Sequence, residues 1–263
     1  MSVITFTHIG GPTTLIEGHG WRILTDPTFD APGRTYRFGW GTSSRKTDGP
    51  AIAADDIGPV DAVLLTHEHH ADNLDDAGRR VLPMAGVVLT TATGASRLGP
   101  NARGLRSWDT TTLEAAGKPT ITVTATPCRH GPVGSHRIVG DVIGFALEWD
   151  GQQHGAMWFS GDTVLYRGVR DVAQRVEVGT AVVHLGAVRF PVSGPLKYTM
   201  DVRDAVELCE LLRPHTVIPV HYEGWSHFTE GRTRIEGHLA DARSPIGDAV
   251  RWAPLGHPVE IIV

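Results

Sequence analysis

The chain has 263 residues, of which 41% are hydrophobic and 20% are charged, and its formal net charge is −5 at pH 7. It contains 31 Gly and 17 Pro, too few for a collagen-like or low-complexity chain, so the composition indicates a globular protein. The mild acidic balance argues against a strongly basic nucleic-acid binder.

The chain has 14 His but only 2 Cys, Cys128 and Cys209. Two cysteines cannot form a disulfide framework or a thiolate metal site by themselves, whereas histidine is the commonest metal ligand. No apolar run is long enough to span a membrane, and the first residues lack the pattern of a signal peptide. We therefore expect a cytoplasmic protein without membrane or nucleic-acid partners.

Short β-branched runs bounded by Gly, Pro and Asp recur along the chain and predict strands. The predicted strands are 3–9, 13–17, 21–25, 60–66, 86–90, 119–126, 141–149, 155–160, 179–184, 216–220 and 259–263. The segment 27–51 lacks apolar periodicity and is predicted to be a long functional loop.

Helical periodicity is clearest after Asp201, which is a plausible N-cap, and Pro214 stops the helix. Its apolar positions are Val202, Ala205, Val206, Cys209 and Leu212. Shorter helices are predicted near 72–80 and 229–241. This mixture predicts one α/β sandwich domain over residues 1–263, with strands that deliver residues to a shared edge.

The densest histidine cluster follows the predicted strand 60–66. The segment THEHHADN places His67, His69, His70, Asp72 and Asn73 on one loop. An apolar strand that ends in such a loop offers several nitrogen and oxygen donors at one sheet edge, as a metal site requires.

Three further strand ends carry a candidate ligand: His130 in PCRHG, Asp162 in FSGDT and His221 in VIPVHY. A lone histidine is more often a surface or hydrogen-bonded core residue, but four such strand ends in one chain favour a shared metal site.

Together these motifs resemble those of metallo-β-lactamase-fold hydrolases, in the branch that includes ascorbate-phosphate lactonase and phospholipase-D-type phosphodiesterases. The likeness covers nearly the whole chain and rests on THIGGPTTLIE, ILTDP, THEHHADN, PCRHG, FSGDT, YTMDVRDAVEL and VIPVHY. It implies an α/β fold, the four-layer αββα sandwich, with the metal site at one edge of two facing sheets.

The resemblance also implies one or two divalent metal ions, zinc or manganese. The first would be held by His67, His70 or His69, His130 and Asp162. The second would be held by Asp72, the Asn73 position, Asp162 and His221, with Asp162 bridging. Because an amide oxygen is a weaker ligand for zinc than imidazole, a single tightly held metal is a further hypothesis.

The loop HEHHADN is one residue longer than the usual HxHxDH pattern. An insertion between His67 and His70 keeps His70, Asp72 and Asn73 in the later positions and makes His69 the extra residue. The alternative register keeps His69 as the second ligand. We prefer the first.

A divalent metal with an open position lowers the pKa of bound water and polarises a carbonyl or phosphoryl oxygen. The sequence therefore predicts a metal-dependent hydrolase of a small ester-type bond, a phosphodiester or a lactone. Asp72 is the candidate water-orienting base, with Asn73 beside it in the catalytic set. The alternatives are a metal-binding sensor or scaffold that has lost turnover, and an RNA-processing nuclease, against which the net charge argues.

Basic residues in two loops predict an anionic small-molecule substrate. They are Arg34, Arg37, Arg45, Lys46, Arg189 and Lys197. Asp26, at the end of another predicted strand, is expected to orient a metal-bound imidazole. Self-association into a homo-oligomer is left open.

Overall fold

The computed structural model of the chain describes residues 2–241 and 246–263. Within them, strands β1 to β15 span, in chain order, Val3–Gly10, Thr13–Gly18, Trp21–Thr25, Thr35–Gly39, Thr42–Arg45, Ala62–Leu64, Val87–Thr91, Ala102–Leu105, Thr110–Leu113, Ile121–Pro127, Ile143–Glu148, Ala156–Phe159, Val178–His184, Thr216–Val220 and Pro258–Ile262. Helices α1 to α7 span Asp76–Val81, Ala92–Ala95, His136–Val139, Arg167–Arg170, Val172–Arg175, Val202–Leu212 and Arg232–Asp241.

Two mixed sheets carry the fold. The strand order is β15-β1-β2-β3-β6-β7-β8 in the first sheet and β14-β13-β12-β11-β10-β9 in the second, while β4 and β5 form a separate hairpin. Strands β3, β6 and β7 run parallel, as do β12, β13 and β14. The carboxyl ends of parallel neighbours lie at the same sheet edge, so the loops that follow them meet there.

Hydrophobic clusters of the described residues lie on both faces of each sheet. The central cluster joins the two sheets and contains Phe6 and Phe145. A second cluster packs Leu208 of α6 against Trp158 on the outer face of the second sheet, and a third packs Ala77 of α1 against the first sheet. Helix, sheet, sheet and helix therefore form four layers, which is the predicted αββα sandwich.

Each predicted strand is present, with its ends shifted by a few residues at most. The predicted helix after Asp201 is confirmed as α6: the Asp201 side chain accepts a hydrogen bond from the backbone of Asp204 in a capping box. The helix predicted near 72–80 begins later, as α1, because the Asp75 side chain caps it through Gly78 N. Residues 72–75 remain in the loop. No helix in the described part of the chain is long and apolar enough to cross a membrane.

The prediction of an irregular loop over 27–51 was wrong, because the segment contains the β4–β5 hairpin. Tyr36 and Phe38 are buried there, while their neighbours in β4 are exposed. Both rings pack in a small cluster with Phe190 and Trp225. The hairpin is thus fixed by a local aromatic core beside the edge where the candidate ligands meet.

Candidate metal centre

The predicted ligands come from four loops at one edge of the sandwich. His67 follows β6, His130 follows β10, Asp162 follows β12 and His221 follows β14. All four residues are buried. The structure therefore brings the four sequence signals together.

Three imidazole nitrogens converge at this edge. The distance between His67 Nε2 and His70 Nδ1 is 3.1 Å, and that between His130 Nε2 and His70 Nδ1 is 3.2 Å. Zinc–nitrogen bonds of about 2.0–2.1 Å in a tetrahedral site place two ligand nitrogens roughly 3.3 Å apart. The spacing of these nitrogens therefore fits a shared metal ion.

The remaining ring nitrogens of two of these histidines are held by hydrogen bonds. His130 Nδ1 donates to the backbone carbonyl of Tyr198 at 2.7 Å. His67 Nδ1 donates to Thr66 Oγ1 at 3.0 Å, and that hydroxyl donates to Asp26 Oδ1 at 3.0 Å. These hydrogen bonds place the proton of each ring on Nδ1, so the Nε2 lone pairs are free to bind a metal.

The electrostatics of these imidazoles agree with their geometry. Burial holds the pKa of His67 and of His70 well below the ordinary histidine value and lowers the pKa of His130 to about 4. A buried imidazole that stays neutral is the form that binds a metal.

A second group consists of Asp72, Asp162 and His221, whose donor atoms lie within 4.8 Å of one another. His221 Nε2 is 3.5 Å from Asp72 Oδ2, and His221 Nδ1 is 3.5 Å from Asp162 Oδ1. Both carboxylate oxygens of Asp162 and both ring nitrogens of His221 are buried without a hydrogen-bond partner in the described part of the chain. Such orphaned donors and acceptors are costly unless a further group satisfies them.

The charges of this second group also fit a cation. Burial raises the pKa of the Asp162 carboxyl. Burial alone would lower the pKa of His221, but the neighbouring Asp162 and Asp72 carboxylates outweigh it and raise that pKa to about 9. Two carboxylates thus favour positive charge between them. Asp162 also groups with His67 and His130, so its two oxygens are suited to bridging two cations.

His69 differs from His70 in its surroundings. Its side chain is 22% exposed, and its Nδ1 lies 3.6 Å from Glu68 Oε2. Although it belongs to a group with His67 and His70, only His70 has close contacts to both His67 and His130. This arrangement favours His70 over His69 as the second nitrogen ligand.

Asn73 is fully buried next to Thr66. Its Nδ2 donates to Thr66 Oγ1 at 3.3 Å, while its Oδ1 has no partner in the described part of the chain. The Thr66 hydroxyl therefore ties together Asp26, His67 and Asn73. Asp26 acts on His67 through Thr66, as an orienting residue would.

His227 is a further residue of the site, outside the predicted ligand set. It is buried, and its Nε2 donates to Asp72 Oδ2 at 3.0 Å, while its Nδ1 accepts from the hydroxyl of Ser44 on β5. Although burial by itself raises the pKa of the Asp72 carboxyl, His221 and His227 hold that pKa well below its ordinary value. The spacing of six residues after His221 was a weak signal for this role, because the contact depends on the β4–β5 hairpin.

Of the histidines outside the ligand set, His184 lies closest to Asp26, with 3.4 Å between His184 Nε2 and Asp26 Oδ2. Burial lowers the pKa of His184 to about 3 and raises that of Asp26 to about 7. His8 is also buried but bonds to the carbonyl of Gly11. Of these residues, Asp26 accepts a hydrogen bond from Thr66, and the His184 ring centroid lies 5.6 Å from that of His221, so both support the candidate ligands.

A cavity of about 260 Å³ opens onto the centre and is lined by His70, Asp72 and His130 together with residues of the hairpin. A second cavity of about 510 Å³ lies beside it, and of the candidate ligands it reaches only His130. The smaller cavity therefore reaches residues of both candidate metal-binding groups.

Comparison with known proteins gives the chain a family. Residues 21–222 match the protein family described as "Beta-lactamase superfamily domain". A UPF0173 metal-dependent hydrolase from Pyrococcus furiosus is 26% identical over 227 residues, which are 85% of this chain and 86% of that protein.

Solved structures show the same fold. An isothiocyanate hydrolase from Delia radicum gut bacteria has a TM-score of 0.79 at 20% identity and covers 97% of this chain and 98% of its own. Igni18, a metallo hydrolase from Ignicoccus hospitalis, has a TM-score of 0.72 at 20% identity, with 99% of both chains covered. The predicted resemblance is confirmed: the chain belongs to the metallo-β-lactamase-fold superfamily of metal-dependent hydrolases.

Proposed function

We propose that the chain hydrolyses a small ester-type bond, a lactone or a phosphodiester, at a centre that holds one or two divalent cations. The observation that carries this proposal is the convergence of three neutral imidazole nitrogens beside Asp162, whose two carboxylate oxygens have no hydrogen-bond partner among the described residues. His70 and His130 open this group to the cavity. The nitrogen ligands are His67, His70 and His130, the oxygen-rich group is Asp72, Asp162 and His221, and Asp162 belongs to both.

The chain's own residues suit hydrolysis. A divalent cation in such a site lowers the pKa of water toward about 7 and polarises the oxygen of the scissile bond. Asp72 keeps one oxygen in the hydrogen bond from His227, while Oδ1 has no partner in the described residues. Because Asp72 lines the cavity, Oδ1 is placed to accept a proton from the attacking water.

Of the two ester classes, a lactone or another neutral carboxylic ester suits the cavity better. Three of the six cations that the sequence assigned to an anionic substrate are engaged elsewhere: Lys46 Nζ lies 2.8 Å from Asp75 Oδ2, Arg34 pairs with Asp76, and Lys197 Nζ lies 2.7 Å from Asp201 Oδ2. No Lys or Arg lines the cavity at the described residues. A phosphodiester would have to be held by the metal centre itself.

The test is hydrolysis of a lactone panel and of bis-p-nitrophenyl phosphate by protein loaded with zinc or with manganese. We expect turnover of at least one lactone, lost in Asp162→Ala and kept in the control Asp150→Ala, since Asp150 is exposed. Metal binding without turnover of any ester would instead support the sensor alternative. Tight RNA binding at an ionic strength of about 0.15 M would support the nuclease alternative.

A further inference from the structure

The wall of the 260 Å³ cavity is apolar above its metal-binding floor. Its lining includes Phe38, Val188, Phe190, Val192 and Tyr198. Asp72 at the floor is its one Asp or Glu among the described residues. Ligand pockets combine such an apolar wall with a few polar groups that orient the ligand, although their volumes are usually larger, roughly 300–1,000 Å³. The cavity is therefore sized for one small, uncharged group beside the reacting bond.

The tip of the β4–β5 hairpin places a large apolar side chain at this cavity. Trp40 lines the cavity and is 80% exposed. Val192, which also lines it, is 67% exposed. Tryptophan buries a large apolar area when a ligand covers it. Because the Trp40 ring is exposed in the folded chain, covering it would contribute to the free energy of ligand binding.

The backbone at the tip is built to present that ring. Gly39, Trp40 and Gly41 have φ values of 90°, 49° and 77°. The left-handed conformation is unfavourable for a non-glycine residue. Nothing lies within 4 Å of where a Cβ would stand on either glycine, so these glycines serve the backbone turn rather than packing. Trp40 adopts this unfavourable conformation at an exposed position, where its side chain does not stabilise the hydrophobic core.

Phe190 is the part of the wall that lies next to the floor of the cavity. Its ring stacks on that of His227 at 5.3 Å with 10° between the planes. His227 in turn holds Asp72. The apolar wall thus contacts the candidate base through His227, so a group packed on Phe190 lies close to the reacting bond.

We propose that Trp40, Val192 and Phe190 form an apolar clamp that selects neutral esters carrying an alkyl chain or a phenyl ring next to the scissile bond. This rests on the proposed hydrolase function for its catalytic readout only. The clamp itself is a binding site and is measurable without turnover.

The catalytic test compares γ-butyrolactone, γ-hexalactone, γ-octalactone and γ-decalactone on the zinc-loaded protein. Each buried methylene contributes about 0.8 kcal/mol, so kcat/KM should rise about fourfold per methylene until the cavity is full. In Trp40→Ala the increase per methylene should fall by about half, and Trp40→Phe should restore most of it. The control is Met84→Ala, because Met84 is 67% exposed and lies outside the cavity.

The binding test uses γ-lactams with the same alkyl chains, measured by calorimetry on zinc-loaded and metal-free protein. Affinity should rise with chain length in the wild type and in Met84→Ala, and rise less in Trp40→Ala. Chain-dependent lactam binding without lactone hydrolysis would support the clamp and overturn the hydrolase proposal. Lactone hydrolysis with the same kcat/KM at every chain length would overturn the clamp and leave the hydrolase proposal standing, as would preference for a lactone whose chain ends in a carboxylate.

Discussion

The two halves of the candidate metal centre differ in how their side chains are hydrogen-bonded. On the nitrogen side, His67 and His130 each use their second ring nitrogen in a hydrogen bond to the protein. On the oxygen side, Asp162 and His221 have no hydrogen-bond partner for either of their polar side-chain atoms within the described residues.

The nitrogen side is therefore distinguished by the orientation of its rings, and the oxygen side by its buried charge. The nitrogen side is neutral and its rings are aimed before any ion arrives, so it should hold a metal tightly at little reorganisation cost. The oxygen side has buried carboxylate oxygens without a hydrogen-bond partner among the described residues, which a cation would satisfy. Asn73 stands where the HxHxDH pattern has its last histidine. We therefore expect the nitrogen side to bind first and the oxygen side to bind more weakly.

The largest expected effect comes from Asp162→Asn, which removes the charge shared by both halves. Hydrolysis should fall about a thousandfold, since losing several kcal/mol of charge stabilisation costs tenfold per roughly 1.4 kcal/mol. In the chelator-treated protein, by contrast, the same change should alter the melting temperature little, because relief of a buried carboxylate offsets the lost attraction to His221. A large drop in the melting temperature without metal would show that the pairing of Asp162 with His221 stabilises the fold.

The next effect distinguishes His70 from His69. His70→Ala should weaken zinc binding by more than about 100-fold, beyond the range for residues that only orient a ligand. His69→Ala is the matched control on the same loop and should change the affinity by less than about threefold. Competition with a chromophoric chelator measures both. The reverse order would assign the second ligand position to His69.

Removing the Thr66 hydroxyl tests whether orientation distinguishes the nitrogen side. Thr66→Val keeps the shape but loses the hydrogen bonds to Asp26, His67 and Asn73, so zinc affinity should fall about 10–100-fold. Thr66→Ser retains a hydroxyl and should recover most of the affinity. If Ser were as poor as Val, packing of the methyl group rather than the hydrogen bonds would explain the loss.

The smallest expected effect is a gain on the oxygen side. Asn73→His supplies an imidazole, which binds zinc better than an amide oxygen, and should tighten the weaker zinc-binding step about tenfold, or roughly 1.4 kcal/mol. Asn73→Ala, which removes the amide, should not tighten it. Titration calorimetry separates the two steps. No gain in Asn73→His would place position 73 outside the oxygen side.

The sequence predicted most of the fold and the residues that meet at the centre, because both depend on local patterns. Period-two apolar runs marked the strands, and the candidate ligands stand directly after them. The support of the centre was harder to foresee. Contacts such as His227 with Asp72 join residues 155 positions apart, and no local periodicity encodes them.

The strands that the sequence did not predict, among them β4, β8 and β9, also depend on contacts between distant residues. In β4 the alternation of Tyr36 and Phe38 was a usable strand signal, but it is short and surrounded by Gly, Pro and charged residues. Strands β8 and β9 contain few large apolar residues, so they are strands because they pair with β7 and β10. The carboxylates that pair with Lys46 and Lys197 could be identified only from the placement of the loops in the structure.

The most direct test of the metal centre is zinc titration of chelator-treated protein by calorimetry, with His130→Ala alongside. The account predicts two steps in the wild type, a tight one and a weaker one, with the tight step lost in His130→Ala. The absence of zinc binding, or the same tight step in His130→Ala, would contradict it.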